Sequence, residues 1–119
     1  MQFRFPLFGS DFAFMIYPEA NISALIYIDD FIWLPSILDK VEIKHQVSQD
    51  EVEEVFFTKP RYRFVESGHR TGEDIYSVSG QTEAGRYLII FFIHKSSNTA
   101  SVLGARDMDK KERRRYERK

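Results

Sequence analysis

RYLIIFFIHKSSNTASVLGAR, residues 86–106, decides the fold. Its first part, RYLIIFFIH (86–94), is a continuous apolar run rich in aromatic and β-branched side chains. A run that short and that uniformly apolar reads as a central strand covered on both faces. KSSN then turns the chain, and TASVLGAR (99–106) reads as the next strand. Upstream, RYRFVES (61–67) and DIYSVSG (74–80) alternate with period two. SGHRTGE and QTEAG supply the turns on either side of the second of these. Turn residues at such intervals favour an antiparallel meander.

Before Pro60 the period changes. VSQDEVEEVFF (47–57) carries Ser48 as N-cap and Glu51 three residues later, a capping box. Val47 and Val52 are placed for a hydrophobic staple, and Val52, Val55 and Phe56 form a buried stripe. Pro35 opens an earlier helix, SILDKVEIKH, with Ile37, Leu38, Val41 and Ile43 roughly on one side. A first strand is expected over about 22–34, whole or in two pieces flanking Asp29 and Asp30. At the other end, Asp109 and Glu112 make a weaker capping box for a short polar helix, KKERRRYERK (110–119), anchored by Met108 and Tyr116. Its arginine run Arg113–Arg115 is explained by a solvated helix face near the negative end of the dipole.

The chain has 119 residues, 43% hydrophobic with eleven Phe, which is enough for one core. It lacks Cys, so neither disulfides nor thiolate metal sites are available. The net charge of -1 conceals two halves: Asp29–Glu54 carries eight acids and two bases, and Lys59–Lys119 fourteen bases and eight acids. That asymmetry points to a polyanion or an oppositely charged protein as partner, or to halves that neutralise each other in the fold. Residues 1–28 have neither a signal-peptide pattern, with Pro6, Gly9 and Asp11 interrupting the apolar run, nor an unbroken membrane span. The chain therefore reads as soluble, and absence of Cys suits the cytoplasm.

From Phe31 onward the chain resembles the BrnT family, the toxin half of BrnT/BrnA type II toxin–antitoxin pairs. The resemblance runs through FIW, KHQVSQDEVEEVF, GQTEAGRYLIIFF and ARDMDKKERRRYE. It covers residues 27–119 and leaves 1–26 as an N-terminal extension without counterpart, consistent with a shifted start codon. The resemblance implies an α+β, RelE-like fold: two N-terminal helices, a small antiparallel sheet of about four strands and one C-terminal helix, in the order β-α-α-β-β-β-α. It implies a metal-independent endoribonuclease acting on cellular RNA, without cofactor, neutralised by a BrnA-like antitoxin. It also implies a homodimer or a toxin–antitoxin heterotetramer. Asp74 and Ile75 stand where the family often has an Arg, and Ser101 stands shortly before Arg106 where a cation is common. These departures support the alternative, a RelE-like domain that binds antitoxin or RNA without cleaving.

Metal-free RNA cleavage needs a base for the ribose 2′-OH, an acid for the leaving oxygen and fixed cations for the phosphorane. Arg86 and Arg106 lie at the start and end of two strands joined by a turn, so the topology suggests that their guanidiniums converge on a phosphate; pairing with the acidic second helix is the other reading. Lys44 and His45 match the family's Lys-His, with His45 a candidate acid or base or a helix C-cap. Arg61 and Arg63, two apart on one strand, could track a backbone. Trp33 could stack on a base or sit in the core. Arg113 and Tyr116 on the last helix complete the RNA-binding candidates. The three His, without Cys and without close His–carboxylate spacing, do not make a metal site.

Overall fold

The apolar run at 86–94 lies in the middle of a sheet. A computed structural model of the chain describes residues 26–68, 70 and 72–118. Among these residues eight elements follow one another: β1 (Asp30–Ile32), α1 (Pro35–His45), α2 (Gln49–Val55), β2 (Arg61–Glu66), β3 (Ile75–Gln81), β4 (Tyr87–Lys95), β5 (Thr99–Asp107) and α3 (Lys110–Glu117). The strands form one sheet in the order β1-β5-β4-β3-β2. The fold is α+β, and β2 to β5 are the expected antiparallel meander.

Two features differ from expectation. Among the described residues the sheet has five strands, those the residue pattern names and one more than the resemblance implies, and it is mixed, because β1 pairs parallel to β5 through Asp30↔Thr99 and Ile32↔Ser101. A parallel neighbour requires a long crossover. Here α1 and α2 carry the chain from one edge of the sheet to the other, and the meander then returns to β1. The first strand is also far shorter than 22–34, spanning Asp30–Ile32. Pro35 at the first turn of α1 holds Leu34 extended, at φ -75 and ψ 137, and the chain leaves the sheet there. The expected strand residues 22–25, the extension up to residue 25 and His69 lie outside the described residues.

Hydrophobic burial fixes α1 and α2 on one face, here called inner. Val41 of α1, Val47 between the helices, Val52 and Val55 of α2 and its C-cap Phe56 pack with Tyr62, Val78, Leu88, Ile90, Phe92, Ala100, Val102 and Ala105 of the strands. The Ser48–Glu51 capping box is formed in both directions. Val47 and Val52, the staple pair, are fully buried. On α1 Val41 is fully buried and Ile37 packs half-buried against the core, whereas Ile43 is exposed. Phe56 lies edge-on to Phe31 and Phe92, with ring centroids at 5.0 and 5.2 Å. Gly80 lets α2 approach β3 closely, since a Cβ there would meet Val55 Cγ1 at 2.7 Å. Among the described residues, no helix is long and apolar enough to cross a membrane.

Candidate nucleic-acid interface

The outer face of the sheet is covered differently. Alternation along each strand sends every second residue outward. The register aligns these into two transverse rows, Arg61–Ser79–Ile89–Arg106 and Arg63–Ser77–Phe91–Gly104. Among the described residues, only α3 crosses this face, and none of its residues is buried. It is held by polar contacts. Arg106 Nη1 and Nη2 donate to Glu112 Oε1 and Oε2 at 2.8 and 2.9 Å. Tyr87 donates its hydroxyl proton to Glu117 at 2.9 Å, and Tyr116 donates to the Lys59 carbonyl at 3.1 Å. Arg61 donates to the Arg118 carbonyl at 2.8 Å and lies over the Tyr116 ring. Arg113 stacks on the Tyr87 ring at 4.0 Å. The Asp109–Glu112 capping box is formed.

Between α3 and the β2 edge lies a groove of about 770 Å³. Ser77, Ser79, Ile89 and Phe91 contribute to its sheet side, and Pro60, Phe64 and Val65 to its β2 side. Among the described residues, four arginines line it, Arg61, Arg63, Arg115 and Arg118, against one carboxylate, Glu112. Its hydrogen bonds from Arg106 hold the Glu112 carboxyl below the usual glutamate range, so it is ionised at neutral pH. Desolvation raises the Tyr116 phenol, which stays protonated. The groove therefore offers guanidinium forks suited to phosphate oxygens, an apolar floor and one fixed carboxylate.

The sequence candidates fall into two groups. Arg61, Arg63 and Tyr116 line the groove, and Arg106 ends the row behind Glu112. Arg113, on the same helix, turns to Tyr87 and Glu117. Arg86, His45, Lys44 and Trp33 belong to the helix-covered side. Arg86 donates to both carboxylate oxygens of Asp107 at 2.7 and 3.1 Å, to Glu51 at 3.2 Å, and to the carbonyls of Gln46 and His45 at 2.7 and 3.2 Å. It ties the α1–α2 junction to the end of β5. Asp107 is held below the ordinary aspartate value first by this hydrogen bond. Lys44 is exposed on α1, and Trp33 donates its indole N–H to Glu53 at 2.9 Å. His94 is half-buried beside the Tyr76 ring, and burial lowers its pKa, which favours neutral imidazole.

Arg86 and Arg106 do not converge, because a β-bulge separates them. The register shifts opposite Phe91 and Phe92, leaving Leu103 as an extra residue in β5. Inward positions thus run Ala100, Val102, Ala105, and Arg106 pairs with outward-facing Ile89 rather than with Leu88. One residue of slip moves every following side chain to the other face. Gly104 in the strand was the available signal for the bulge. Arg115, Arg118 and Glu112 were the groove residues not assigned to RNA from the sequence. Their spacing of three on the face that bears Tyr116 was the signal for them.

Among the described residues, no cluster of three or more His, Asp or Glu is placed to hold a metal ion. No model of a known protein family matches the chain, and no curated protein matches it significantly.

Proposed function

We propose that this chain is a toxin-type protein directed at RNA, a metal-independent endoribonuclease whose substrate lies in the outer-face groove and whose activity a cognate antitoxin restrains in the cytoplasm. The observation that carries this reading is the concentration of Arg61, Arg63, Arg115 and Arg118 around a groove floored by Ile89 and Phe91. Arginine forks neutralise backbone phosphates and stabilise the extra charge of a phosphorane. The floor gives unstacked bases an apolar surface, which favours single-stranded RNA over a duplex. Glu112 is the carboxylate nearest such a phosphate, and Tyr116 the neutral hydroxyl.

The test is expression without a protein partner. Growth arrest with fragmented RNA is expected, abolished by Arg61→Ala with Arg63→Ala and Arg115→Ala, and retained in Lys44→Ala with His45→Ala. In vitro, the triple variant should flatten the salt dependence of oligonucleotide binding by about 2 in log–log slope, at roughly 0.7 per lost contact. Normal growth, intact RNA and no binding would overturn the reading.

A second reading, binding without cleavage, is favoured by the engagement of Glu112 and Tyr116, the groove groups that would have to serve as base and acid. Glu112 accepts from Arg106 on both oxygens, and the Tyr116 hydroxyl is committed to the Lys59 carbonyl. Tight oligonucleotide binding with intact RNA would identify it.

A further inference from the structure

Among the described residues, Glu112 is the single acid that lines the groove beside its arginines, and its side chain is only 17% exposed. Its two oxygens accept parallel bonds from the Arg106 fork, at 2.8 and 2.9 Å, and Oε1 also accepts the Asp109 backbone N–H at 2.9 Å. Two parallel N–H···O bonds are also how a guanidinium grips a phosphate. Arg106 ends the same transverse row as Arg61 and rests over the ring of Phe91, a floor residue, at 5.7 Å. Yet Arg106 does not line the groove, whereas Glu112 does.

We propose that Glu112 is a built-in competitor for phosphate. Its carboxylate occupies the Arg106 fork in the way a phosphate would, and Arg106 is a reserve phosphate site at the end of the groove. For RNA as the ligand this rests on the reading above, whereas the fork itself suits any phosphate. The competition is coupled to α3, because the same carboxylate closes the capping box while the Glu112 N–H donates to Asp109 at 2.7 Å. A phosphate that takes Arg106 frees Glu112 and loosens only what that carboxylate holds.

Glu112→Gln separates charge from architecture, since Gln also serves at this capping-box position. Two readouts are needed. The first is binding of a uridine oligonucleotide across a salt series. The second is titration with inorganic phosphate, followed by NMR on the Arg106 Nε–H resonance. Glu112→Gln should bind the oligonucleotide more tightly at low salt, with a slope steeper by about 0.7, one added phosphate contact. Adding Arg106→Ala should remove that gain. The Arg106 resonance should respond to phosphate in Glu112→Gln and stay fixed in the wild type. The proposal is overturned if the gain survives without Arg106, which would make it a long-range charge effect, or if Arg106 responds equally in both proteins. If neither protein binds the oligonucleotide, the RNA reading fails, and the phosphate titration still decides the role of Glu112.

Discussion

Arg86 shows how much one side chain can hold. Its guanidinium reaches two carboxylates and two backbone carbonyls from three parts of the chain. One of these is Gln46, which sits at φ 55 where α1 ends. Replacing Arg86 with Ala leaves these carbonyls and Glu51 without this donor. Arg86 is 27% exposed and Asp107 60%, so water softens the loss. We expect Arg86→Ala to cost about 2 kcal/mol, and Arg86→Lys to recover little because an ammonium cannot reproduce the fork. Denaturant unfolding measures it. The Asp107 share has a defined pH sign. Its folded pKa is depressed, so that share is present above the ordinary aspartate value of 3.8 and is lost as pH falls below it. The difference between wild type and variant should shrink there. At this scale the sequence was half legible. It placed Arg86 and Arg106 at the two strand ends of one hairpin, and it named the acidic second helix as a possible partner, which Arg86 meets at Glu51. It hid that they face apart, because one bulged residue, Leu103, reverses the facing of everything after it.

Capping boxes open both α2 and α3, and both were readable from residue spacing alone. Their consequences differ because packing differs. Behind the Ser48 cap stand Val52 and Val55, fully buried against the sheet. Behind the Asp109 cap no residue of α3 is buried. An isolated helix shorter than about 12 residues is marginal in water. The eight residues of α3 therefore depend on the Arg106–Glu112, Tyr87–Glu117 and Tyr116–Lys59 contacts. Ser48→Ala should lower global stability by about 1 kcal/mol. Asp109→Ala should leave the global transition nearly unchanged and speed amide exchange within α3 alone. Equal global losses for the two variants would contradict this difference. Sequence supplied the caps and the buried stripe of α2, but not which face of the sheet each helix covers. The faces that α1, α2 and α3 cover are set by the sheet order, in which β1 joins β5 at the far end of the chain.

At the scale of the whole molecule, the acidic helices and the groove arginines lie on opposite sides of the sheet. Acids of the segment 29–54 ride mainly on α1 and α2, over the inner face, and the groove arginines stand on the outer face. Arg86–Glu51 joins the two segments, while Arg106–Glu112, Lys95–Glu73 and Arg113–Glu117 lie within the basic one. The charge split was visible in composition, but its geometry was not, since neutralisation and segregation have the same sum. Segregation has a consequence that net charge does not. A helix with its side chains is about 10 Å across, and the Debye length is about 10 Å at 0.1 M salt. Charges on the outside of the helix layer are therefore largely screened from the groove. Two double variants that change net charge equally should then behave differently. Lys40→Glu with Lys44→Glu alters exposed positions of α1 on the helix side. Arg63→Glu with Arg115→Glu alters the groove. Oligonucleotide binding at 0.1 M salt should survive the first pair nearly unchanged and be lost in the second. Comparable weakening by both would mean that the overall field, rather than the groove, attracts the polyanion.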